Sequence, residues 1–237
     1  MDELKSLILD IIFPRRCLSC NILISEPGFS YICSICLPTI SFKNEFACAF
    51  CKSPVIGGKT CPFCRPTHFL DRLLVVTSYD DPLVEKILKT MKYRFIRSLA
   101  DDIANLTNKY LGKNKLLDKM RLIVVPVPLH RLRLNWRGFN QSEIIAKSVA
   151  DHFGFEMQTE TLCRIRHSIP QAEIHDRKSR IENIKNSFAC KNPESIKEKN
   201  ILLVDDVSTT GSTLDACAEI LKSAGAKEVI GLVFARN

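Results

Sequence analysis

Beyond residue 70 the apolar positions gather into short continuous runs instead of alternating with polar ones. Arg72 to Tyr79 (RLLVVTSY), Leu122 to Val127 (LIVVPV), Asn200 to Asp205 (NILLVD) and Glu228 to Phe234 read as strands buried on both faces. Helical stretches separate them. Asp81-Pro82 predicts an N-cap followed by Pro at the first helical position, opening a helix to about Tyr93. Further helices are expected from Phe95 to Leu111, from Asn140 to Phe153 with Gly154 closing it, and from Thr210 to Ala224 ending at Gly225. Asp176 to about Ser187 reads as a charged helix or a basic loop. Strands alternating with helices in this way predict an α/β fold, a parallel sheet covered by helices.

The first part of the chain is different. Leu4, Leu7, Ile8, Ile11 and Ile12 keep helical spacing and Pro14 ends the pattern, so residues 1–14 are expected to hold a short N-terminal helix. Residues 15–66 are rich in turns and cysteine, with little apolar periodicity, and such a segment needs a staple to fold. Arg65-Pro66-Thr67-His68 looks like a boundary, leaving residues 68–237 for the α/β part. Hydrophobic residues make up 46% of the 237 and charged residues 25%, which excludes a disordered or fibrous chain. Runs such as Leu7 to Phe13 are too short to span a bilayer, so no transmembrane segment is expected. Met1-Asp2-Glu3-Leu4-Lys5 lacks the basic start of a signal peptide, which points to the cytoplasm.

Eight of the 11 cysteines lie between residues 17 and 64, in four pairs: Cys17 with Cys20, Cys33 with Cys36, Cys48 with Cys51, and Cys61 with Cys64. A two-residue gap lets both thiolates of a tight knuckle reach one ion, and two knuckles complete a closed tetrahedron that suits structural zinc. Two zinc ions are therefore expected, with an iron–sulfur cluster as the main rival. The spacing favours first-with-second and third-with-fourth pairing and leaves a cross-braced arrangement open. Cys163, Cys190 and Cys217 read as small core residues.

The segment from Ile201 to Thr213 carries the most chemistry. A buried strand delivers Asp205 and Asp206 at its C-terminal edge, where α/β sheets bind ligands. A hydroxyl-rich turn follows, and then a helix N-terminus with unpaired N–H groups. Ser208, Thr209, Thr210, Ser212 and Thr213 add hydroxyls, and Gly211 lets backbone come close. This is a seat for a phosphate monoester beside carboxylates that accept from vicinal hydroxyls, as a ribose 5-phosphate requires. No lysine follows the glycine, which excludes a P-loop.

This segment resembles the 5-phosphoribosyl-1-pyrophosphate (PRPP) motif of type I phosphoribosyltransferases. With the four cysteine pairs, Lys92-Tyr93-Arg94, Val125 to His130, Arg137-Gly138-Phe139-Asn140-Gln141, Gln171 and Arg177, nearly the whole chain resembles the competence protein F (ComF) family. The resemblance implies a double zinc ribbon before a type I phosphoribosyltransferase-like sheet. It implies that Asp205 and Asp206 hold ribose hydroxyls, that Val207 and Ser208 to Thr213 hold the 5-phosphate, and that Val127, Pro128 and Leu129 form a pyrophosphate loop. Magnesium would accompany PRPP. Arg164 to Asn183 falls where the family's flexible loop lies. The implied function is a competence-associated protein that binds PRPP with magnesium and handles single-stranded DNA during natural transformation. Other DNA-uptake proteins would be its partners, with a peripheral place at the inner membrane through them. The alternative is a phosphoribosyltransferase acting on a nitrogen nucleophile. The sequence names no residue for that acceptor; His130, His167 and His175 are candidates by location and read as surface histidines.

A formal charge of +8 adds a bias towards anions. Lys92, Arg94, Arg131 and Arg137 lie close in sequence to Tyr93 and Trp136, a mixture that can track a single strand and stack on its bases.

Overall fold

The computed structural model describes residues 15–24, 30–94, 96–115, 117–118, 120–165 and 187–237. The expected N-terminal helix lies outside these residues, as do Gln171, Arg177, His167, His175 and most of the 176–187 segment.

Among the described residues seven strands form, β1 (Arg72–Ser78), β2 (Leu122–Pro126), β3 (Glu156–Met157), β4 (Leu162–Arg164), β5 (Phe188–Cys190), β6 (Asn200–Ser208) and β7 (Glu228–Arg236). Five of them make one sheet in the order β1-β7-β6-β2-β3, every pairing parallel. β4 and β5 pair antiparallel in a separate ribbon. The helices are α1 (Pro82–Tyr93), α2 (Ser98–Asn114), α3 (Arg131–Arg137), α4 (Gln141–Phe153), the single turn α5 (Pro193–Ile196) and α6 (Ser212–Ser223). Among the described residues no helix is long and apolar enough to cross a membrane.

Local chemistry fixes the ends of these elements. Asp81 caps α1 by accepting from the N–H of Leu83 at 2.8 Å and of Val84 at 3.4 Å, and Pro82 follows it. Asn140 caps α4 by accepting from Ser142 N–H, and Gly154 closes it in the left-handed region at φ 69°. Some boundaries moved. The second helix begins at Ser98 and reaches Asn114, and β6 runs on through Ser208 instead of stopping at Asp205. Its extension is backed by β7, whose Ala235 and Arg236 pair with Val207 and Ser208. The helix after the hydroxyl-rich turn starts at Ser212, capped by Gly211 at φ 80°.

Two apolar layers lie on the two sides of the sheet. One joins α1, α2 and α4 to Leu74, Val124, Leu202 and Phe234, and takes in Cys17, Ile32 and Ile40 of the cysteine-rich segment. The other joins α6 to Leu73, Val125, Leu203 and Val233, and takes in Ala49. Each half of the cysteine-rich segment therefore completes a different layer. Of the three later cysteines, Cys217 is a buried core residue, while Cys163 and Cys190 are only half-buried.

Candidate functional site

The cysteine-rich segment forms two clusters. The sulfurs of Cys17, Cys20, Cys33 and Cys36 lie within 4.8 Å of one another, and so do those of Cys48, Cys51, Cys61 and Cys64. Pairing is sequential; the cross-braced arrangement is ruled out. Cys20 and Cys33 sulfurs are 3.7 Å apart and those of Cys51 and Cys61 3.5 Å. A zinc tetrahedron with bonds of ~2.3 Å has an edge of ~3.8 Å, so the donor sets fit two structural zinc ions. The clusters repeat a detail. Cys33 N–H points at Cys17 Sγ (3.4 Å) and Cys61 N–H at Cys48 Sγ (3.5 Å). Burial opposes a thiolate at Cys17, but the N–H groups of Cys33, Cys20 and Ser19 outweigh it and bring that thiol down to about 6.

The second candidate site is a cleft of about 490 Å³ at the C-terminal edge of the sheet. Tyr79 after β1, Val127 after β2, residues 205–208 of β6 and Asn237 after β7 all open into it, because parallel strands end on one edge. All nine residues from Asp205 to Thr213 line the cleft, as do Val127, Pro128 and Leu129. Val127 is held by its N–H to the Val204 carbonyl (2.9 Å), and its own carbonyl accepts from Asn140 Nδ2 (3.1 Å). Thr210 and Ser212 hydroxyls lie 2.8 Å apart at the start of α6.

Asp205 and Asp206 have different surroundings. Asp205 Oδ1 accepts from Ser142 Oγ (2.8 Å) and from Asp206 N–H (2.9 Å). Asp206 pairs with Lys92 Nζ at 2.9 Å. Burial, and then the neighbouring Asp206 charge, push Asp205 up to about 7. A carboxyl raised on folding binds its proton more tightly in the folded state, so its contribution to stability falls as pH rises from the unfolded value towards the raised one. Asp205→Asn is therefore expected to stabilise the ligand-free protein more at about pH 7.5 than at about pH 5.5, by on the order of 1–2 kcal/mol. Urea unfolding of variant and wild type at both pH values measures the difference, and an equal gain at both would refute the shift.

Lys92 and Arg137 face the cleft. Arg137 Nη1 donates to Gln141 Oε1 at 2.9 Å, and burial lowers the guanidinium's pKa. Arg94, Arg131 and Trp136 are exposed, with Trp136 at 59%, and do not line the cleft. His130 serves as the cap of α3, its Nδ1 accepting from Leu132 N–H at 3.3 Å. Ser142, Gln141, Arg133 and Arg164 also line the cleft and were not singled out as ligand-holding groups from the sequence; only the run Arg137 to Gln141 and the basic Arg164 stretch hinted at them.

Ser208 Oγ, Gln141 Nε2, Arg133 Nη2 and Arg137 Nε are buried atoms without a hydrogen-bond partner among the described residues. Unpaired buried donors are costly, and four around one cleft ask for acceptors beyond the described residues. The cleft can thus take an anion at the turn and along its basic wall, and hydroxyls at the acid pair.

The model of the double zinc ribbon domain matches residues 8–65, and that of the phosphoribosyl transferase domain residues 140–237. Competence protein F of Haemophilus influenzae is 26% identical over 224 residues, covering 92% of this chain and 95% of that protein. DNA utilization protein YhgH of Salmonella typhimurium is 29% identical, covering 84% and 87%. Competence protein ComFC of Bacillus subtilis is 28% identical, covering 77% and 80%. Among solved structures, a hypoxanthine phosphoribosyltransferase from Staphylococcus aureus superposes with a TM-score of 0.38 at 16% identity, covering 58% of this chain and 68% of that one. In its paired cysteine clusters, its parallel sheet and its whole-length relatives, the chain is similar to competence protein F, ComFC and YhgH, and it carries a double zinc ribbon followed by a phosphoribosyltransferase domain.

Proposed function

We propose that this protein is a competence-associated factor that binds PRPP with magnesium and handles single-stranded DNA. The observation that carries the reading is the cleft. An acid pair for ribose hydroxyls stands beside a hydroxyl-rich helix start, with Ser208 Oγ and three basic or amide donors around it that have no partner among the described residues. Asp205 and Asp206 would offer hard oxygen donors of the kind magnesium prefers. When bound, that ion would neutralise pyrophosphate charge. Lys92 and Arg137, reached through Asp206 and Gln141, belong to this ligand and not to DNA.

The DNA part rests on the names of the relatives and on the lip of the cleft. Trp136 and Arg131 are exposed on α3, whose Arg133 and Arg137 line the cleft, and Tyr93 is 63% exposed beside Arg94 at the end of α1. Exposed aromatic rings next to arginines suit stacked bases and a tracked backbone. Single-strand affinity is therefore expected to fall steeply with salt. Neutralising Arg94 and Arg131 is expected to lower the salt slope by about 0.7 per lost phosphate contact. Trp136→Ala is expected to weaken binding by ~1–3 kcal/mol with the slope nearly unchanged, because stacking releases few ions. Titrations of a labelled oligonucleotide measure both. Absence of binding at about 50 mM salt, where charge contacts are strongest, would sink the DNA role.

A further inference from the structure

The two residues between the cysteines of the third knuckle, Ala49 and Phe50, lie against the hydroxyl-rich turn. A Cβ placed on Gly211 would sit 3.4 Å from the Ala49 carbonyl oxygen and 3.5 Å from the Phe50 ring. Arg236 binds the same knuckle from below: its Nη1 donates to the Cys48 carbonyl (3.2 Å) and its Nη2 to that of Ala49 (2.6 Å). Arg236 is buried, and in the sheet it stands opposite Ser208, the residue that opens the turn. The far side of Phe50 is also fixed. Its ring stacks on His68 with centroids 3.5 Å apart and planes 4° from parallel. His68 Nδ1 lies 2.7 Å from Asp215 Oδ2, while Asp215 Oδ1 accepts from the N–H groups of Phe69 and Leu70. Asp215 sits in the first turn of α6, its N–H on the Gly211 carbonyl at 2.9 Å. The contacts thus form a closed ring: knuckle, turn, helix start, linker and back to the knuckle.

We infer that the second cysteine cluster is the back wall of the phosphate-binding turn, with Phe50 and Arg236 as positioning residues that hold residues 208–213 in shape. The ligand half of this inference rests on the function proposed above. Among the described residues the first cluster makes no such contact: its Cys17, Cys33 and Cys36 pack in the layer on the other side of the sheet, and Ser30 beside it bonds to Asp102 of α2. Binding of a phosphate ester in the cleft therefore depends on the second cluster and not on the first.

The test compares full-length wild type with Phe50→Ala, Phe50→Tyr, Cys51→Ser and Cys20→Ser. Both cysteines are exposed residues of their clusters, so they form a matched pair. Hydrogen exchange is read on residues 209–215 without ligand, and affinity for ribose 5-phosphate is read by calorimetry. Phe50→Ala is expected to keep both zinc ions and to speed exchange in 209–215 by about tenfold, the size of one lost aromatic contact. Its ribose 5-phosphate affinity is expected to fall by a similar factor, with Phe50→Tyr restoring both. Cys51→Ser should act like Phe50→Ala, and Cys20→Ser should leave exchange in 209–215 unchanged. Unchanged exchange in Phe50→Ala, or an equal effect of Cys20→Ser, would overturn the inference. Faster exchange in Phe50→Ala, with no ribose 5-phosphate binding even in wild type, would uphold the wall and remove the proposed ligand. If Phe50→Ala fails to fold, the comparison of Cys51→Ser with Cys20→Ser decides.

Discussion

Stripping the metal with a strong chelator is expected to melt both ribbons and to loosen the sheet domain with them. Two zinc ions per chain should be found after purification, one for each cluster of four sulfurs. The binding energy of a structural zinc, apparently ~10–16 kcal/mol in small finger peptides, is folding energy, because no site exists in the unfolded chain. The ribbon segment has little else to hold it. Its own turns close through backbone bonds such as Cys17 N–H to Ile22 and Cys48 N–H to Ser53, and its buried apolar residues belong to the same two layers as those of the sheet domain. Cys48→Ser is the sharper test. Cys48 is fully buried, and its carbonyl and that of Ala49 are what the Arg236 guanidinium donates to. If the knuckle opens, that guanidinium is left buried with a carbonyl acceptor lost, a change worth ~1.5–3 kcal/mol for a hydrogen bond to a charged group. For a chain of this length ~3 kcal/mol corresponds to roughly 10 °C in melting temperature. Calorimetric melting with metal analysis checks both statements. A stoichiometry near one, or a Cys48→Ser variant that melts with wild type, would show that the second ribbon is not part of the cooperative unit.

The features legible in the sequence are those set by neighbours along the chain. A two-residue gap between cysteines is a local geometry, so the ligands could be named, and only their pairing had to wait for the fold. The acid pair and the turn after it were legible for the same reason, as was the Asp81-Pro82 start of α1. The helix α3 was not. Its sequence, RLRLNWR, puts Leu132, Leu134 and Trp136 at every second position, which is the period of a strand. It is helical because His130 caps its start and Gly138, at φ 80°, closes its end, and no residue on it is buried to impose a helical period. The short strands β3, β4 and β5 carry too few residues to show any period. The wiring of the cleft was hidden for another reason. Lys92 reads as one more surface lysine until Asp206 is found 2.9 Å away, and Ser142 reads as an ordinary first-turn helix residue until its hydroxyl meets Asp205. Contacts between residues far apart in the chain leave no local pattern, and the docking of Phe50 against Gly211 belongs to the same class.

Replacing both carboxylates, Asp205→Asn with Asp206→Asn, is expected to weaken PRPP binding by at least tenfold and up to about a hundredfold, ~1.4–2.8 kcal/mol. Hydrogen bonds to a charged acceptor are worth ~1.5–3 kcal/mol each, and an amide oxygen recovers only part of that. Magnesium affinity in the presence of PRPP should fall as well, since neutral amide oxygens replace charged ones. One effect works the other way: Lys92 loses its partner at 2.9 Å, and its ammonium is freed to meet ligand phosphate. That gain is smaller than the loss of two charged acceptors, so the net change stays unfavourable. Stability should move in the opposite direction to affinity. Asp205 is half-buried, its carboxyl held up at about 7 beside a second carboxylate, and neutral amides remove both the desolvation penalty and the repulsion, a gain set against the Lys92–Asp206 ion pair that the second substitution breaks. A melting temperature equal to or above that of wild type, together with weaker PRPP binding, is the signature of residues kept for a ligand at a cost in stability. Titration calorimetry and thermal melts of the same samples read the two quantities side by side. Unchanged PRPP affinity in a folded variant would take the acid pair out of the binding site. A variant that binds weakly only because it has lost its fold would show the fall in melting temperature that this argument excludes.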